Sequence, residues 1–446
     1  MARIALVCPA YYSHIRAFEV LGQALEMREH EIVFILPEGA EAMVQRPGTS
    51  IVTIAASGSS PQSGRKRRDS GGAGVLGILR AVADRAAATD QFCRLAPCIF
   101  RANRIDAVLA DEFEPGAGLV AAYLDLPHIS FAAALPIERD VAMPLPFLDW
   151  PYDPSERGLA RNRGGELVGG IFMRRQRKVI ETWAERFGLE GRKDDVSCLS
   201  PTLRLAQTVE GFDFPRPRSP NLRPVGPIRS APVTRLRGDE RFPIDPKRPF
   251  VFASLGTMQG HRFDLFKAIA SACRRLDLQV MIAHCGGLSA RQAARLSADW
   301  VVDFADQPEM LARADICVTH GGLNTVLDCL AAGTPMLALP VGYDQPGVGA
   351  RILYHGVGET IAAKRAKLGN VTEALAKLIA NRAAYETHIA PIRSEIAKAG
   401  GTQTAAELVD RLLAGAERSG SRRRYAARPD VANDVALVKA GLSARL

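Results

Sequence analysis

The chain has 446 residues, 47% of them hydrophobic and 24% charged, with a formal net charge of +9 at pH 7. This length exceeds what one ordinary hydrophobic core requires, so we expect two α/β domains and a terminal tail. No apolar run approaches the roughly 20 residues of a spanning helix, and the strand-like start is too short for a signal peptide, so we expect neither an integral membrane protein nor a secreted one.

The cysteines and the basic runs indicate the compartment and the partners. Eight cysteines are scattered in apolar segments, and the closest pair, Cys93 and Cys98, has no second pair with which to form a zinc site. We interpret them as small buried residues of a cytoplasmic protein. The basic runs at residues 65–68 and 422–424 lie in polar surroundings without interleaved aromatic residues, so we expect no nucleic-acid partner. We interpret these runs as parts of a solvated loop and tail, and attraction to an anionic membrane surface is the functional alternative.

The N-terminal part alternates strands and helices. The apolar patterns predict strands at residues 3–8, 31–36, 106–110 and 128–134, and helices at 15–25 and 75–101. The opening βαβ unit lacks the Gly-x-Gly-x-x-Gly pattern of dinucleotide sites, which argues against a dehydrogenase. Residues 57–74, rich in Ser, Gly and Arg, predict a mobile loop.

The alternation is interrupted in the middle of the chain. A Pro-rich loop at residues 143–151 is followed by a predicted basic amphipathic helix around residues 171–180. A stretch dense in Pro and Arg predicts a linker, and the sequence thereby divides into five parts. These are an N-terminal domain at residues 1–215, the linker at 216–249, a C-terminal domain at 250–403, a helix at 404–418 that we expect to cross back to the first domain, and a flexible tail at 419–446.

One βαβ unit in the C-terminal domain carries a concentration of polar residues. A buried strand at residues 314–319 is followed by the turn HGGLNT at 320–325, a helix that ends near Gly333, and a strand at 336–339. The amides at the start of that helix suit a phosphate, while Asp328 and Asp344 suit hydroxyl groups. A plain turn with capping residues is the alternative for HGGLNT alone. The nearby Asp344 and Gln345 favour a nucleotide-sugar site.

Four parts of this region together resemble the nucleotide-sugar signature of the two-domain glycosyltransferases that use UDP-sugars. They are FADQ at residues 304–307, HGGLNT at 320–325, Asp328, and DQ at 344–345. That family has WAPQ, HCGWNS, a later Glu and a closing DQ in these places. Phe304 therefore replaces the Trp that would stack on uracil but keeps an aromatic face, Asp306 replaces the Pro, and Asp328 replaces the Glu with a shorter carboxylate.

The resemblance implies both a fold and a chemistry. The implied fold is α/β, with two Rossmann-like doubly wound domains facing each other across a cleft (GT-B). The implied reaction is an inverting, metal-independent transfer of a hexose, with UDP-glucose as the expected donor, and no cofactor. The chain has no Asp-x-Asp triplet for a metal. The implied donor-binding residues are Ser13, Ser254, Gly256, Thr257, Phe304, Ala305, Gln307, His320, Gly322, Asn324, Thr325, Asp328, Asp344 and Gln345.

Transfer to an alcohol also requires a base that removes the hydroxyl proton. By itself a loop histidine such as His14 is more often an ordinary surface residue. In the family, however, the base is a histidine in this first loop, and His14 and Asp111 stand where its catalytic pair is found. Asp111 would fix the tautomer of the His14 ring and stabilise its protonated form. Glu112 and Glu114 are the fallback candidates.

The expected acceptor comes from a closer resemblance within the family. YYSHIRA at residues 11–17, DEFEPGA at 111–117, SLGTMQGH at 254–261, AHCG at 283–286 and YDQPGV at 343–348 are similar to the bacterial carotenoid glucosyltransferases. This implies transfer to the terminal hydroxyls of a carotenoid diol, giving mono- and then di-glucosides. Such an acceptor resides in a bilayer, so we expect peripheral contact with the membrane. The candidate acceptor-binding residues are Tyr12, Phe113, Phe147 and Trp150.

Three alternatives remain open. The chain could act on another lipophilic alcohol, such as a macrolide, flavonoid or sterol. It could be a nucleotide-sugar epimerase, although an epimerase needs no histidine beside an open acceptor cleft. It could be a non-catalytic nucleotide-sugar binder, against which the presence of both His14 and Asp111 argues.

Overall fold

The computed structural model describes residues 1–55, 75–138, 140–217, 219–230 and 242–418. The predicted loop at 57–74, both basic runs and the predicted tail at 419–446 lie outside these residues, as does the central part of the predicted linker, residues 231–241.

The described chain forms two parallel β-sheets. The strands are β1 Arg3–Val7, β2 Glu31–Pro37, β3 Ser50–Ile54, β4 Ala107–Asp111, β5 His128–Ala132, β6 Leu203–Ala206, β7 Leu222–Pro224, β8 Phe250–Ser254, β9 Gln279–Ala283, β10 Trp300–Val302, β11 Ile316–Thr319, β12 Met336–Ala338 and β13 Gly358–Thr360. The first sheet has the order β3-β2-β1-β4-β5-β6-β7, and the second β10-β9-β8-β11-β12-β13. The strand order reverses once in each sheet, between β1 and β4 in the first and between β8 and β11 in the second.

Helices cover both faces of each sheet. They are α1 Tyr12–Glu26, α2 Val75–Ala102, α3 Pro115–Tyr123, α4 Glu156–Phe172, α5 Arg174–Phe187, α6 Gly256–Gln259, α7 Phe263–Arg275, α8 Ala290–Ala293, α9 Gln307–Arg313, α10 Leu323–Ala332, α11 Gln345–Tyr354, α12 Leu368–Ala380, α13 Arg382–Ala399 and α14 Gly401–Arg418. On the first sheet, α1 and α14 cover one face and α2, α3 and α5 the other. On the second, α7 and α12 lie opposite α9, α10 and α13.

The central strands are buried on both faces, which explains their continuous apolar sequences. Every residue of β4, β8 and β11 is buried. The registers pair Val7 with Ala110 and Thr319 with Ser254, so neighbouring strands end level with each other. In such sheets ligands bind beyond the carboxyl ends of the strands, at the point where the strand order reverses. The residues that follow β1, β4, β8 and β11 therefore lie at these two points, where a ligand is expected.

The stretch 216–249, expected to be a linker, is not a linker throughout. Leu222–Pro224 forms β7, which pairs in parallel with β6 at the edge of the first sheet. The Pro and Arg residues of this stretch gave no strand pattern, so the three-residue edge strand was not predicted. Pro is tolerated in an edge strand because one side of the strand needs no amide donor.

The basic amphipathic helix predicted around residues 171–180 is also wrong as a single element. The chain bends at Met173, so Ile171 belongs to the end of α4 and the basic residues to the start of α5. The apolar side of α5, which includes Ile180, Trp183 and Phe187, is buried against α2 and α3. That side is therefore not available to a membrane.

The last described helix returns to the first half of the molecule. Helix α14 packs against α1, and Ala405, Ala406 and Val409 belong to the same buried core as the first sheet. Outside that core, the α14 residue Asp410 accepts a hydrogen bond from the ring of His30 at 3.2 Å. No helix in the described ranges combines the length and the apolar character needed to cross a bilayer.

A chain of ion pairs with largely buried side chains joins the two halves. Arg204 of β6 pairs with Glu138 at 3.0 Å, Glu138 with Arg216, and Arg216 with Asp213 at 2.8 Å. Asp213 in turn receives Arg351 of α11 at 2.7 Å. Burial alone would raise the pKa of Asp213, but the charges of Arg351 and Arg216 hold it below its ordinary 3.8. Asp213 is therefore an anion at neutral pH and fixes α11 to the first half.

Because removing one member of a buried pair leaves an uncompensated charge, we expect Asp213→Asn to lower the free energy of unfolding by about 3 kcal/mol. Asp277→Asn is the matched control, since the Asp277 side chain is 85% exposed in its pair with Arg248 and the change costs at most about 1 kcal/mol. Urea unfolding at pH 7 measures both. Equal unfolding midpoints for the two variants would contradict the assignment.

Candidate active site in the cleft between the sheets

The carboxyl ends of the two sheets face each other across a cleft. Asn324, in the first turn of α10, donates its side-chain amide to the carbonyl oxygen of Ser13 at 3.5 Å. The backbone amide of Leu135, beyond β5, donates to the carboxylate of Asp344 at 3.3 Å. Residues that follow strands of the first sheet thus contact residues that follow strands of the second.

The cleft contains a cavity of about 4870 Å³ with walls from both halves. This is several times the volume of an ordinary small-molecule site, about 300–1,000 Å³. Asp111 is buried behind the wall. Every other predicted site residue lines the cavity: Tyr12, Ser13, His14, Phe113, Phe147, Trp150, Ser254, Gly256, Thr257, Phe304, Ala305, Gln307, His320, Gly322, Asn324, Thr325, Asp328, Asp344 and Gln345.

His14 and Asp111 form a hydrogen-bonded pair. The Nδ1 atom of His14 lies 2.7 Å from Oδ2 of Asp111, and both residues are buried. His14 is not in a loop, as predicted, but in the first turn of α1, because the helix begins at Tyr12 directly after the extended residue Tyr11. The helix start holds the imidazole against the end of β4. The pair therefore depends on the adjacency of β1 and β4.

The surroundings of this pair set the protonation of the imidazole. Burial lowers the pKa of His14, but the charge of Asp111 and its hydrogen bond raise it, and the resulting pKa lies above the ordinary 6.5. The other carboxylate oxygen, Oδ1, accepts the backbone amide of Phe113 at 2.9 Å, which fixes the carboxylate. When Nδ1 donates to Asp111, Nε2 of the neutral ring carries the lone pair and can accept a proton.

The two fallback carboxylates lie in different environments. Oε1 of Glu112 accepts two hydrogen bonds from Arg204, at 2.7 and 3.0 Å, and Oε2 accepts the amide of Ile137 at 2.7 Å. Glu112 is thus committed to a structural ion pair. Glu114 lines the cavity, and burial raises its pKa to about 7 although Arg85 opposes the shift.

The predicted phosphate turn is packed around the ring of His320. A Cβ atom at Gly256 would lie 2.8 Å from Cε1 of that ring, and one at Gly322 only 2.5 Å from Nε2. Gly256 also has a φ of +70°, which disfavours any other residue. Burial lowers the pKa of His320 to about 4, so the ring is neutral at pH 7. The neutral ring can offer a phosphate a hydrogen bond.

The start of α10 lies beside this ring. Gly322 is its N-cap and supplies no side-chain hydrogen bond. The first backbone bond within the helix runs from the amide of Val326 to Gly322, so the amides of Leu323, Asn324 and Thr325 precede the helical ladder. Unsatisfied amides at a helix start that faces a cavity are a site for an anion.

The carboxylate of Asp328 is held by two neighbours. Gln307 donates to one oxygen at 2.7 Å, and Nε of Arg229 donates to the other at 2.8 Å. Arg229 also donates to the carbonyl of Asn324 at 3.0 Å. Sequence reasoning missed Arg229, because it follows β7 within the supposed linker and no motif contains it.

The remaining donor-side residues complete one wall. Phe304 is 68% exposed, so its aromatic face is open to a base. Gln345 uses its side-chain oxygen to accept the amides of Val341 and Gly342, at 2.8 and 3.2 Å, which leaves its NH₂ group for a ligand. Burial raises the pKa of Asp344 above 3.8, and the attraction of His14 lowers it in part.

The candidate acceptor residues lie on the opposite wall. The Tyr12 hydroxyl accepts a hydrogen bond from Gln45 at 3.0 Å. The ring of Phe113 lies 5.9 Å from that of His14, and Trp150 stacks under the guanidinium of Arg161 at 5.2 Å. Of these residues, Phe113 is therefore the one whose ring lies near the imidazole. Within the described ranges, no group of three or more His, Cys, Asp or Glu side chains is arranged to hold a metal ion.

Comparison with known proteins finds relatives that match nearly the whole chain. The chain is 37% identical over 422 residues to the zeaxanthin glucosyltransferase of Pseudescherichia vulneris, covering 94% of this chain and 99% of that protein. It is also 37% identical over 425 residues to that of Pantoea ananas, covering 93% and 96%. The calicheamicin glycosyltransferase CalG4 has a similar fold, with a TM-score of 0.72 at 18% identity over 93% of this chain and 98% of that one.

These findings confirm the predicted fold of two Rossmann-like domains in the GT-B arrangement. The glycosyltransferase of kitacinnamycin gives a TM-score of 0.69 at 19% identity, over 92% of this chain and 99% of that one. The profile of the family described as UDP-glucoronosyl and UDP-glucosyl transferase matches residues 175–396. The chain belongs to this family of sugar transferases.

Proposed function

We propose that this enzyme is an inverting glucosyltransferase that moves glucose from UDP-glucose to the hydroxyl groups of a carotenoid, converting zeaxanthin to its mono- and then its di-glucoside. One observation carries the proposal: the His14–Asp111 pair and the His320 turn line or border the same cavity. The names of the two relatives with 37% identity support the choice of acceptor and sugar.

The chemical step follows from the position of the imidazole. The acceptor hydroxyl gives its proton to Nε2 of His14, and its oxygen forms a bond to the anomeric carbon of glucose. The bond from that carbon to the diphosphate breaks, and UDP leaves with the electron pair. A single displacement of this kind inverts the configuration at the anomeric carbon. Asp111 stabilises the imidazolium that forms during the attack.

The departing diphosphate requires compensation of its charge. The amides at the start of α10, together with a neutral His320 that donates a hydrogen bond, supply it without a metal or a cofactor. Phe304 stacks on uracil, and Asp328, positioned by Gln307 and Arg229, accepts the ribose hydroxyls. Asp344 and the free NH₂ group of Gln345 hold the sugar.

The acceptor wall suits a long apolar substrate. The cavity is larger than UDP-glucose needs, and its wall beyond His14 carries Phe113, Phe147 and Trp150. A substrate taken from a bilayer requires the protein to reach the membrane surface, so we propose a cytoplasmic enzyme that binds the membrane peripherally.

Transfer to another lipophilic alcohol is the second candidate. The demethyllactenocin mycarosyltransferase of Streptomyces fradiae is 32% identical over 194 residues, covering 42% of this chain and 40% of that protein. The similarity spans less than half of each chain, so it supports this candidate less than the two zeaxanthin glucosyltransferases support the first.

The proposed activity is tested directly by incubating the protein with UDP-glucose and detergent-dispersed zeaxanthin and measuring product masses. We expect masses increased by one and by two glucose residues, together with UDP release that requires the alcohol. UDP-sugar conversion without any alcohol would indicate an epimerase instead. Transfer only to a macrolide, flavonoid or sterol offered in parallel would support the second candidate.

His14→Ala removes the base, so we expect the turnover number to fall by about 10²- to 10⁴-fold while UDP-glucose still binds. Calorimetric titration with UDP-glucose measures the retained affinity. His30→Ala is the matched control, because His30 is also a buried imidazole bonded to a carboxylate but lies outside the cavity. Near-normal turnover in the His14 variant would remove this residue from the mechanism.

Asp111→Asn should change the pH dependence of kcat/KM. His14 acts as a base only when neutral, so the wild-type rate falls as the pH drops through its raised pKa, above 6.5. In the variant the attraction of Asp111 is lost and burial still lowers the pKa of His14. The acid limb then moves to lower pH, and the plateau rate drops because the tautomer is no longer fixed. Asp410→Asn, the corresponding change beside His30, should leave the profile unchanged.

A further inference from the structure

Helix α4 packs against its neighbours with glycines. A Cβ atom at Gly165 would lie 2.7 Å from the ring of Trp150, and one at Gly169 would lie 3.1 Å from Cδ1 of Leu145. The buried residues of this helix are Gly158 and Asn162. A surface helix normally turns its apolar side chains towards the core, so α4 has the reverse arrangement.

The apolar side chains of α4 point outwards instead. Leu167 is 71% exposed and Ile171 65%, and Val168 between them is exposed as well. With Ile78 of α2 and Phe147 of the Pro-rich loop, these residues form a group that we call the apolar rim. All five line the mouth of the cavity that contains His14. A contiguous set of large exposed apolar residues marks a surface that contacts something other than water.

The charge around the apolar rim is predominantly positive. Residues 157–178 contain seven Arg or Lys residues and one Glu. Arg163, Arg174 and Arg175 are exposed on either side of Leu167 and Ile171. Apolar side chains flanked by cations match the acyl layer and the anionic head groups of a bilayer.

We propose that the apolar rim rests on an anionic lipid surface, so that the mouth of the cavity opens towards the bilayer. The inference deepens the proposed function, on which it rests for the lipophilic nature of the acceptor. A second copy of this chain fits less well, because it would place two basic surfaces against each other and close the mouth of the cavity. The apolar face of α5 takes no part in this surface, because it is packed inside the protein.

The test is flotation of the full chain, without donor or acceptor, on vesicles of phosphatidylcholine and phosphatidylglycerol in equal parts. The wild type should bind, and less tightly at high salt. The double variant Leu167→Asp with Ile171→Asp should bind at least about tenfold more weakly, because it loses two apolar side chains that would enter the bilayer. Met27→Asp with Leu353→Asp is the matched control, since it adds the same charge at exposed apolar positions outside the cavity, and it should bind as the wild type does.

A second pair of changes tests the charge. Arg174→Glu with Arg175→Glu lies outside the cavity lining, so it should weaken binding to these vesicles and leave turnover of detergent-dispersed acceptor unchanged. Thermal unfolding of every variant verifies that it is folded. The inference is overturned if the wild type does not float, or if both variants bind as tightly as the control.

The outcome is separable from that of the proposed function. Unchanged vesicle binding with lost carotenoid turnover in the rim variant would make the rim a wall of the acceptor path only, which also overturns the inference. Conversely, vesicle binding that depends on the rim supports the inference even if zeaxanthin is never glucosylated, in which case the proposed acceptor alone is wrong.

Discussion

The hydrogen bond between His14 and Asp111 is the interaction on which the candidate site depends. It joins residues 97 positions apart in the chain, and it exists because β1 and β4 are adjacent parallel strands that end level with each other. The charge of a buried carboxylate against the ring raises the pKa of the imidazole, as the proposed role of His14 as a base requires. Glu112, by contrast, is bound to Arg204 and serves the packing of the sheet.

The second sheet also places a histidine at the point where its strand order reverses, but there the ring is kept uncharged. At its point of reversal, Gly256 and Gly322 allow the ring of His320 to lie between two backbone segments, where burial keeps it neutral. One half therefore holds an imidazole that can become a cation, and the other holds one that donates a hydrogen bond without charge. The ion pair of Arg351 with Asp213 and the bond of Leu135 to Asp344 keep these halves in contact, so the two imidazoles share one cavity.

Glycine has a further use on the acceptor side. In α4 it allows Trp150 and Leu145 to approach the helix closely, and the apolar side chains that would ordinarily fill such an interface are turned to the surface. The exposed rim and the tight loop packing are thus two consequences of one sequence pattern, GGELVGGIF at residues 164–172. This links the wall of the cavity to the surface on which the protein is proposed to rest.

The sequence by itself determined the alternating strands and helices, the two Rossmann-like sheets and the residues gathered at their carboxyl ends, because these follow from local periodicity and from motifs with fixed spacing. Only the tertiary structure decided which side chains meet. Arg229 reaches Asp328 across 99 positions, β7 forms by pairing with β6, and α4 and α5 part at Met173, which no hydrophobic pattern marks. Such contacts depend on how distant segments pack, and the free energy of packing is a property of the folded chain rather than of any stretch within it.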